Sequence, residues 1–246
     1  MDKARAVATP CPTNSDPPSL HRGALFHDPT PYRSKVGALQ YVTITRPDLV
    51  YDVTIACQFM HVPTETHWPY VKRILRFISS TLSHGILFTK GSQGFLHAFS
   101  DAGCAGDHDT RRSVGGYAIF LGSNLISWSS RKQRTVARSS IEAEFKCLAD
   151  TTTEIIWIQA LLSDLRITFQ KSPVLWCDNI SAIYLSDNPV FHARTKYMEI
   201  DYHLFVSELI SANYMFNISL RRTNRRTCSP KPFHGLGSAS FRTSLL

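Results

Sequence analysis

The chain has 246 residues, 43% of them hydrophobic and 19% charged, which is enough apolar content for one large core or two small ones and too much for wholesale disorder. No apolar run approaches the roughly 18–20 residues of a membrane span, and residues 1–20 mix Lys, Arg, Pro and Asp without the apolar stretch of a signal peptide, so a soluble intracellular chain is expected. A net charge of +8 ordinarily points to a polyanionic partner, but Arg221, Arg222, Arg225, Arg226, Lys231 and Arg242 all follow Glu208, the last acid, and without them the balance falls to 21 against 19.

Residues 1–31 are rich in Pro, Ser, Thr and Asp and read as a flexible arm. Residues 32–45 carry Val36, Leu39, Tyr41 and Val42 until Arg46-Pro47-Asp48 interrupts the helix, because Pro disfavours the helical conformation of the residue before it. Asp48 is placed to N-cap a second helix reaching about Met60, with Val50, Val53, Ala56 and Cys57 on one face. A third helix is expected from about Thr66, with Val71, Ile74, Leu75 and Ile78 inward and Lys72, Arg73 and Arg76 on another face. Residues 32–84 are thus a small helical segment.

The period then changes. Residues 85–88 and 95–99 are short apolar runs bounded by Gly, Ser and Asp, and residues 113–121 and 124–128 form two further strands around Gly122-Ser123, a tight-hairpin signal. The expected fold is α/β, a mixed sheet with an antiparallel three-strand meander and flanking helices, over residues 85–220. A long helix follows over 139–165 with Phe145, Leu148, Ile155, Ile158, Leu161 and Leu162 as apolar positions. Residues 174–177 form a short buried strand, 179–186 and 200–210 helices, and 214–220 a last strand; residues 221–246 are a basic tail without a packing pattern. The six cysteines, at 11, 57, 104, 147, 177 and 228, include no CxxC pair and are expected as free thiols.

Three acids sit where chemistry would want them: Asp101 ending a strand, Glu142 one turn into the long helix, and Asp178 ending another strand. Each also has a local explanation. Asp101 can form a turn, Asp178 can N-cap the next helix, and Ser139-Ser140-Ile141-Glu142 matches the S-x-x-E capping box. Together, carboxylates at adjacent strand ends plus one from a crossing helix have the disposition that holds two divalent ions about 4 Å apart for phosphodiester hydrolysis.

The residues then carry a family resemblance. Phe99-Ser100-Asp101-Ala102, Arg112-Ser113-Val114-Gly115-Gly116-Tyr117, Ile126-Ser127-Trp128-Ser129-Ser130-Arg131-Lys132-Gln133, Ser139-Ser140-Ile141-Glu142-Ala143-Glu144-Phe145, Trp176-Cys177-Asp178-Asn179 and His192-Ala193-Arg194-Thr195-Lys196, in this order, resemble the ribonuclease H domain of copia-type retrotransposon polyproteins. Upstream, Tyr32-Arg33-Ser34, Gly37-Ala38-Leu39-Gln40-Tyr41, Thr45-Arg46-Pro47-Asp48 and His67-Trp68 resemble the segment connecting reverse transcriptase to ribonuclease H. The resemblance implies a ribonuclease H-like fold and metal-dependent hydrolysis of the RNA strand of an RNA–DNA hybrid. Asp101, Glu142 and Asp178 match the family's metal-binding carboxylates, with Glu199 as the fourth acid and Asp201 second to it; two Mg²⁺ or Mn²⁺ ions are the implied cofactors. Glu144, two residues beyond Glu142, lies about 200° further around the helix and is set aside. Arg131, Lys132, Arg134 and Arg138 are candidates for backbone-phosphate contacts, or simply a solvated basic loop, and His192 for proton transfer or product release.

Three departures stand against this. Gly103-Cys104 follow Asp101-Ala102 where the family has an acid and a Trp, which is expected to loosen packing beside a metal ligand; no Tyr-x-Asp-Asp polymerase motif exists, the polymerase palm being expected to lie outside this chain; and the acid-free tail after Leu220 reads as a shifted frame or as a basic nucleic-acid-binding tail. Two other readings therefore stay open: an inactive retroelement remnant that at most binds nucleic acid, and an interaction module whose acids are only caps.

Overall fold

The computed structural model describes residues 5, 7–11, 18–19, 23–90, 95–107, 109–167 and 171–182, and the backbone of one further strand at 217–220. The described residues divide into two units, one through Leu87 and one from Phe88.

The first unit is helical. Pro31 sits in the first turn of α1 (Thr30–Val42), where its missing N–H costs nothing. Tyr32, Val36 and Leu39 recur at helical spacing and are buried against Val53 and Ala56 of α2 (Val50–Gln58) and Val71 and Ile74 of α3 (Trp68–Ser80). The Tyr32 hydroxyl donates to the Ala56 carbonyl at 2.9 Å, so its polar tip is satisfied inside the core. Tyr70 likewise donates to buried Asp52 at 2.8 Å. His67, the residue before α3, is buried and stacked on Phe59 at 4.0 Å; its Nδ1 accepts from the Thr64 N–H at 3.0 Å.

Three expectations change here. Asp48 does not cap α2: a 3₁₀ turn over Pro47–Leu49 leads directly into that helix, and the Asp48 carboxylate instead takes both arms of the Arg46 guanidinium, at 2.9 and 2.7 Å. Arg73 does not point freely outward with Lys72 and Arg76, because it donates to the Thr9 carbonyl and hydroxyl at 3.1 and 3.0 Å. Within the expected arm, the described residues are tied down at several points: besides Thr9, the Ser19 carbonyl meets His67 Nε2 at 3.0 Å and Leu25 bridges Thr64.

The second unit is a five-stranded mixed sheet in the order β3-β2-β1-β4-β5. β1 (Leu96–Gly103), β2 (Val114–Leu121) and β3 (Asn124–Lys132) form the antiparallel meander, turned at Gly122, whose φ of +60° suits a tight hairpin. β4 (Val174–Cys177) runs parallel to β1, and β5 (Asn217–Leu220) parallel to β4. Along β1 every second residue, Leu96, Ala98, Ser100 and Ala102, is buried. The facing stripe belongs to α4 (Ser140–Asp164), where Leu148, Ile155, Ile158 and Leu162 pack with Leu96, Ala98, Ile119 and Leu175 in one core. Each such aliphatic side chain contributes about 1.5–3 kcal/mol on burial. Leu161, expected among them, is largely exposed. Thr151 and Thr152, buried on the same helix, satisfy their hydroxyls on the carbonyls four residues back. The expected mixed α/β sheet, with its antiparallel meander and flanking helix, is thus present.

Residues 85–88 do not form the expected strand. β1 is flanked on both sides by β2 and β4, so no free edge remains beside it, and Leu87 and Phe88 stay exposed. Just beyond the run, Thr89 is tied to the β2–β3 hairpin: its N–H donates to Asn124 Oδ1 at 2.8 Å and its carbonyl accepts from the Asn124 amide at 2.9 Å. Of the expected helix at 179–186, residues 180–182 are helical; the rest of it, the helix at 200–210, residues 214–216 and the tail lie outside the described residues. Among the described residues no helix is long and apolar enough to cross a membrane. Among the described residues no cysteine is in a disulfide: Cys11, Cys57, Cys104, Cys147 and Cys177 are thiols.

Candidate functional site

Parallel pairing of β1 and β4 aligns Phe99 with Trp176, so Asp101 and Asp178, each two residues further on, reach the same end of the sheet. Neither is accounted for by its local alternative. Asp101 lies inside β1, opposite Gly116, and forms no turn. The helical turn after β4 is capped by Asn179, whose Oδ1 accepts from the Ala182 N–H at 3.1 Å, so the exposed Asp178 is not its cap.

Glu142 behaves as the capping residue. Ser139 accepts from the Glu142 N–H at 3.1 Å, and the Glu142 carboxylate accepts from the Arg138 N–H at 2.8 Å and from Lys146 Nζ at 2.7 Å. Burial pushes its pKa up, but Lys146 and the Arg138 N–H outweigh burial and hold it below the ordinary carboxylate value.

The acid that α4 turns toward Asp101 and Asp178 is Glu144. It lies one turn before Leu148, in phase with Thr151, Ile155, Ile158 and Leu162 at alternating spacings of four and three, and so faces the sheet. Its carboxylate accepts from the Ala102 N–H at 3.1 Å, next to Asp101, while its other oxygen is buried without a hydrogen-bond partner. Glu142, about 200° away around the axis, cannot share that face. The expectation for these two residues is therefore corrected: the rotation between them holds, but the phase of the apolar stripe, legible in the sequence, selects Glu144.

Electrostatics agree with this placement. Burial first, then the neighbouring carboxylates of Asp101 and Asp178, raise the Glu144 pKa to about 8, against the partial relief of the Ala102 N–H. Among the described residues, ligand atoms of Glu144, Cys177 and Asp178 all lie within 4.8 Å of one another. Burial pushes the Cys177 thiol up to about 12, so it is a poor ligand for a hard cation, whereas crowded carboxylates and an orphaned buried oxygen fit one well. The site is held from beneath by Cys147, whose Sγ lies 3.3 Å from the carbonyls of both Asp101 and Gly116. Gly115 permits that approach, since a Cβ there would stand 3.3 Å from the Cys147 sulfur.

Arg131, near the end of β3, and Arg134 and Arg138, between β3 and α4, are exposed. Lys132 differs from them, being mostly buried and ion-paired with Asp107. Cys104 is exposed. Glu199, Asp201 and His192 lie outside the described residues.

No family model matches the chain. It is 49% identical over 211 residues to the retrovirus-related Pol polyprotein from transposon RE2 of Arabidopsis thaliana, a match covering 86% of this chain and 14% of that polyprotein's length. It is 45% identical over 129 residues to secreted RxLR effector protein 161 of Plasmopara viticola, covering 52% of this chain and 91% of that protein. Among solved structures, the foamy viral protease-reverse transcriptase in complex with RNA/DNA hybrid is similar with a TM-score of 0.50 at 12% identity, over 93% of this chain and 28% of that one, a likeness of fold.

Proposed function

Because the chain belongs among the relatives of retrotransposon Pol polyproteins and carries a ribonuclease H-like domain, we propose that it is a copia-type polyprotein fragment whose second unit is a metal-dependent endonuclease for the RNA strand of RNA–DNA hybrids. The observation that carries this reading is the buried, unpartnered Glu144 oxygen set among the carboxylates of Asp101 and Asp178. A folded protein leaves such a group unsatisfied at a cost of about 1–3 kcal/mol or more, and a divalent cation would remove that cost.

Asp101, Glu144 and Asp178 would hold the metal, with Glu199, or Asp201 in its place, as the fourth acid. When bound, two Mg²⁺ or Mn²⁺ ions would lower the pKa of a water and offset charge on the reacting phosphate and leaving 3′ oxygen. Glu142 supports the site indirectly, since its ties to Ser139, Arg138 and Lys146 fix the first turn of α4 and hence the direction of Glu144. Arg131, Arg134 and Arg138 contact backbone phosphates of the hybrid, and RNA is told from DNA by its 2′-hydroxyls across the shallow minor groove.

The test is cleavage of a strand-labelled RNA–DNA hybrid by folded, monodisperse protein in Mg²⁺ and in Mn²⁺. The RNA strand alone is cut, chelator stops the reaction, and Asp178→Asn lowers the rate by at least about 100-fold, the usual scale for removing a preorganised electrostatic group. Absence of cleavage from a folded sample overturns the proposal and leaves an inactive remnant.

A further inference from the structure

The loop between β1 and β2 carries two arginines, Arg111 and Arg112, that play no part in the carboxylate site. The loop is built with unusual constraint. Ala105 and Arg111 both adopt left-handed φ angles, 50° and 55°, a conformation uncommon outside glycine. Asp107 ties down the Arg111 side of the loop. Its carbonyl accepts from the Arg111 N–H at 2.8 Å, its N–H donates to the Arg112 carbonyl at 3.2 Å, and its carboxylate accepts from the Asp109 N–H at 3.1 Å and from the Thr110 hydroxyl. The same carboxylate is ion-paired with Lys132 at the end of β3, and the Ser113 hydroxyl accepts from the Ala105 N–H at 3.2 Å. A surface turn with this many cross-ties is pinned to the sheet, and strain retained in such a turn points to function.

What the pinned turn presents is positive charge. Arg111 and Arg112 are exposed and form no ion pair among the described residues, while the loop's other acid, Asp109, is half-buried. The ladder fixes where they stand: Gly103 pairs with Val114 and Val114 with Lys132, so the loop leaves the sheet at the end that carries Asp101 and Asp178, on the side of Arg131. Guanidinium groups are suited to phosphodiester oxygens through their paired donors.

We propose that the 103–113 loop is a preorganised clamp in which Arg111 and Arg112 bind the phosphodiester backbone of the nucleic acid beside the carboxylates, with Asp107 as its brace. This rests on the hybrid-binding reading above, but not on cleavage. Asp107 acts as a positioning residue through the backbone conformation it enforces.

The test is binding of a fluorescein-labelled RNA–DNA hybrid, followed by anisotropy at several salt concentrations with EDTA present, so that no cutting intervenes. Arg111→Gly with Arg112→Ala keeps the left-handed backbone, weakens binding and makes the dependence of log affinity on log salt shallower by about one for each phosphate no longer engaged. The decisive variant is Asp107→Ala, which removes both side-chain bonds of the brace. It also makes the protein more positive and releases Lys132, so charge alone predicts tighter binding, whereas loss of the brace predicts weaker binding. Circular dichroism first establishes that both proteins are folded. Unchanged affinity and slope in the double variant, or binding by Asp107→Ala as tight as the parent's or tighter, overturns the clamp. A protein that binds through this loop yet cuts nothing overturns the nuclease reading alone, and one that cuts while the double variant binds like its parent overturns the clamp alone.

Discussion

Glu144→Gln is expected to stabilise the metal-free protein at pH 8 and to flatten its stability between about pH 4.5 and pH 8. In the unfolded chain this carboxyl titrates near its ordinary 4.5, and in the folded chain near 8. Below the lower value both states hold the proton and Glu144 imposes no penalty. As pH rises through the window, the unfolded state releases its proton while the folded state retains one, so stability falls, and the loss is complete above the folded value. One such group tilts the curve by at most about 1.4 kcal/mol per pH unit, a total on the order of a few kcal/mol. Glutamine keeps the shape and the oxygen that accepts from Ala102, but carries no charge to desolvate. Urea midpoints of parent and variant at pH 5 and pH 8, in chelator, measure the difference; parallel declines in the two proteins would contradict the burial and crowding assigned to Glu144.

Arg46→Ala is expected to destabilise the helical unit strongly although it removes no apolar core side chain. Arg46 is 5% exposed and engages three partners at once: Asp48 through Nε and Nη2, the Thr81 carbonyl and hydroxyl at 2.9 Å each, and the Phe77 ring at 5.7 Å. It therefore joins the turn between α1 and α2 to the C-terminal end of α3. Truncation leaves the Thr81 carbonyl without this donor and Asp48 without its cation, and breaking a buried pair from one side costs about 3–5 kcal/mol. Because Asp48 keeps some solvent contact, with 27% of its side chain exposed, the lower end of that range applies. Arg46→Lys restores charge without the planar fork and recovers only part of the loss. Thermal unfolding of the three proteins decides; full recovery by lysine would mean that charge alone mattered.

How much of this is legible in the sequence varies with the physical signal. The meander is readable because alternation along residues 95–99 and 113–121 and the glycine at 122 are local properties of the strands themselves. The start of α4 is readable because Ser139 and Glu142 form a cap, which needs no distant partner. The run at 85–88 has a similar apolar character, but a strand requires an open edge, and which edges are taken is decided by the whole sheet. Asp48 misleads for a related reason: an acid before a helix is a cap unless a closer cation claims it, and Arg46 does.

The choice between Glu142 and Glu144 is the most instructive case. Two acids two residues apart cannot face one way on a helix, so one caps and the other faces the sheet. Family order alone does not separate the two roles. The stripe through Leu148, Ile155, Ile158 and Leu162 does, because continuing it back by one turn lands on Glu144. The cap and the inward acid are then complementary: the first sets the helix start, and the second uses the direction so set.

The most direct test of this account is Mn²⁺ binding by isothermal titration calorimetry to the parent, Glu144→Gln and Glu142→Gln proteins, each first established as folded by circular dichroism. The account predicts that the parent and Glu142→Gln bind Mn²⁺ and that Glu144→Gln loses it. Binding retained by Glu144→Gln and lost by Glu142→Gln would contradict it.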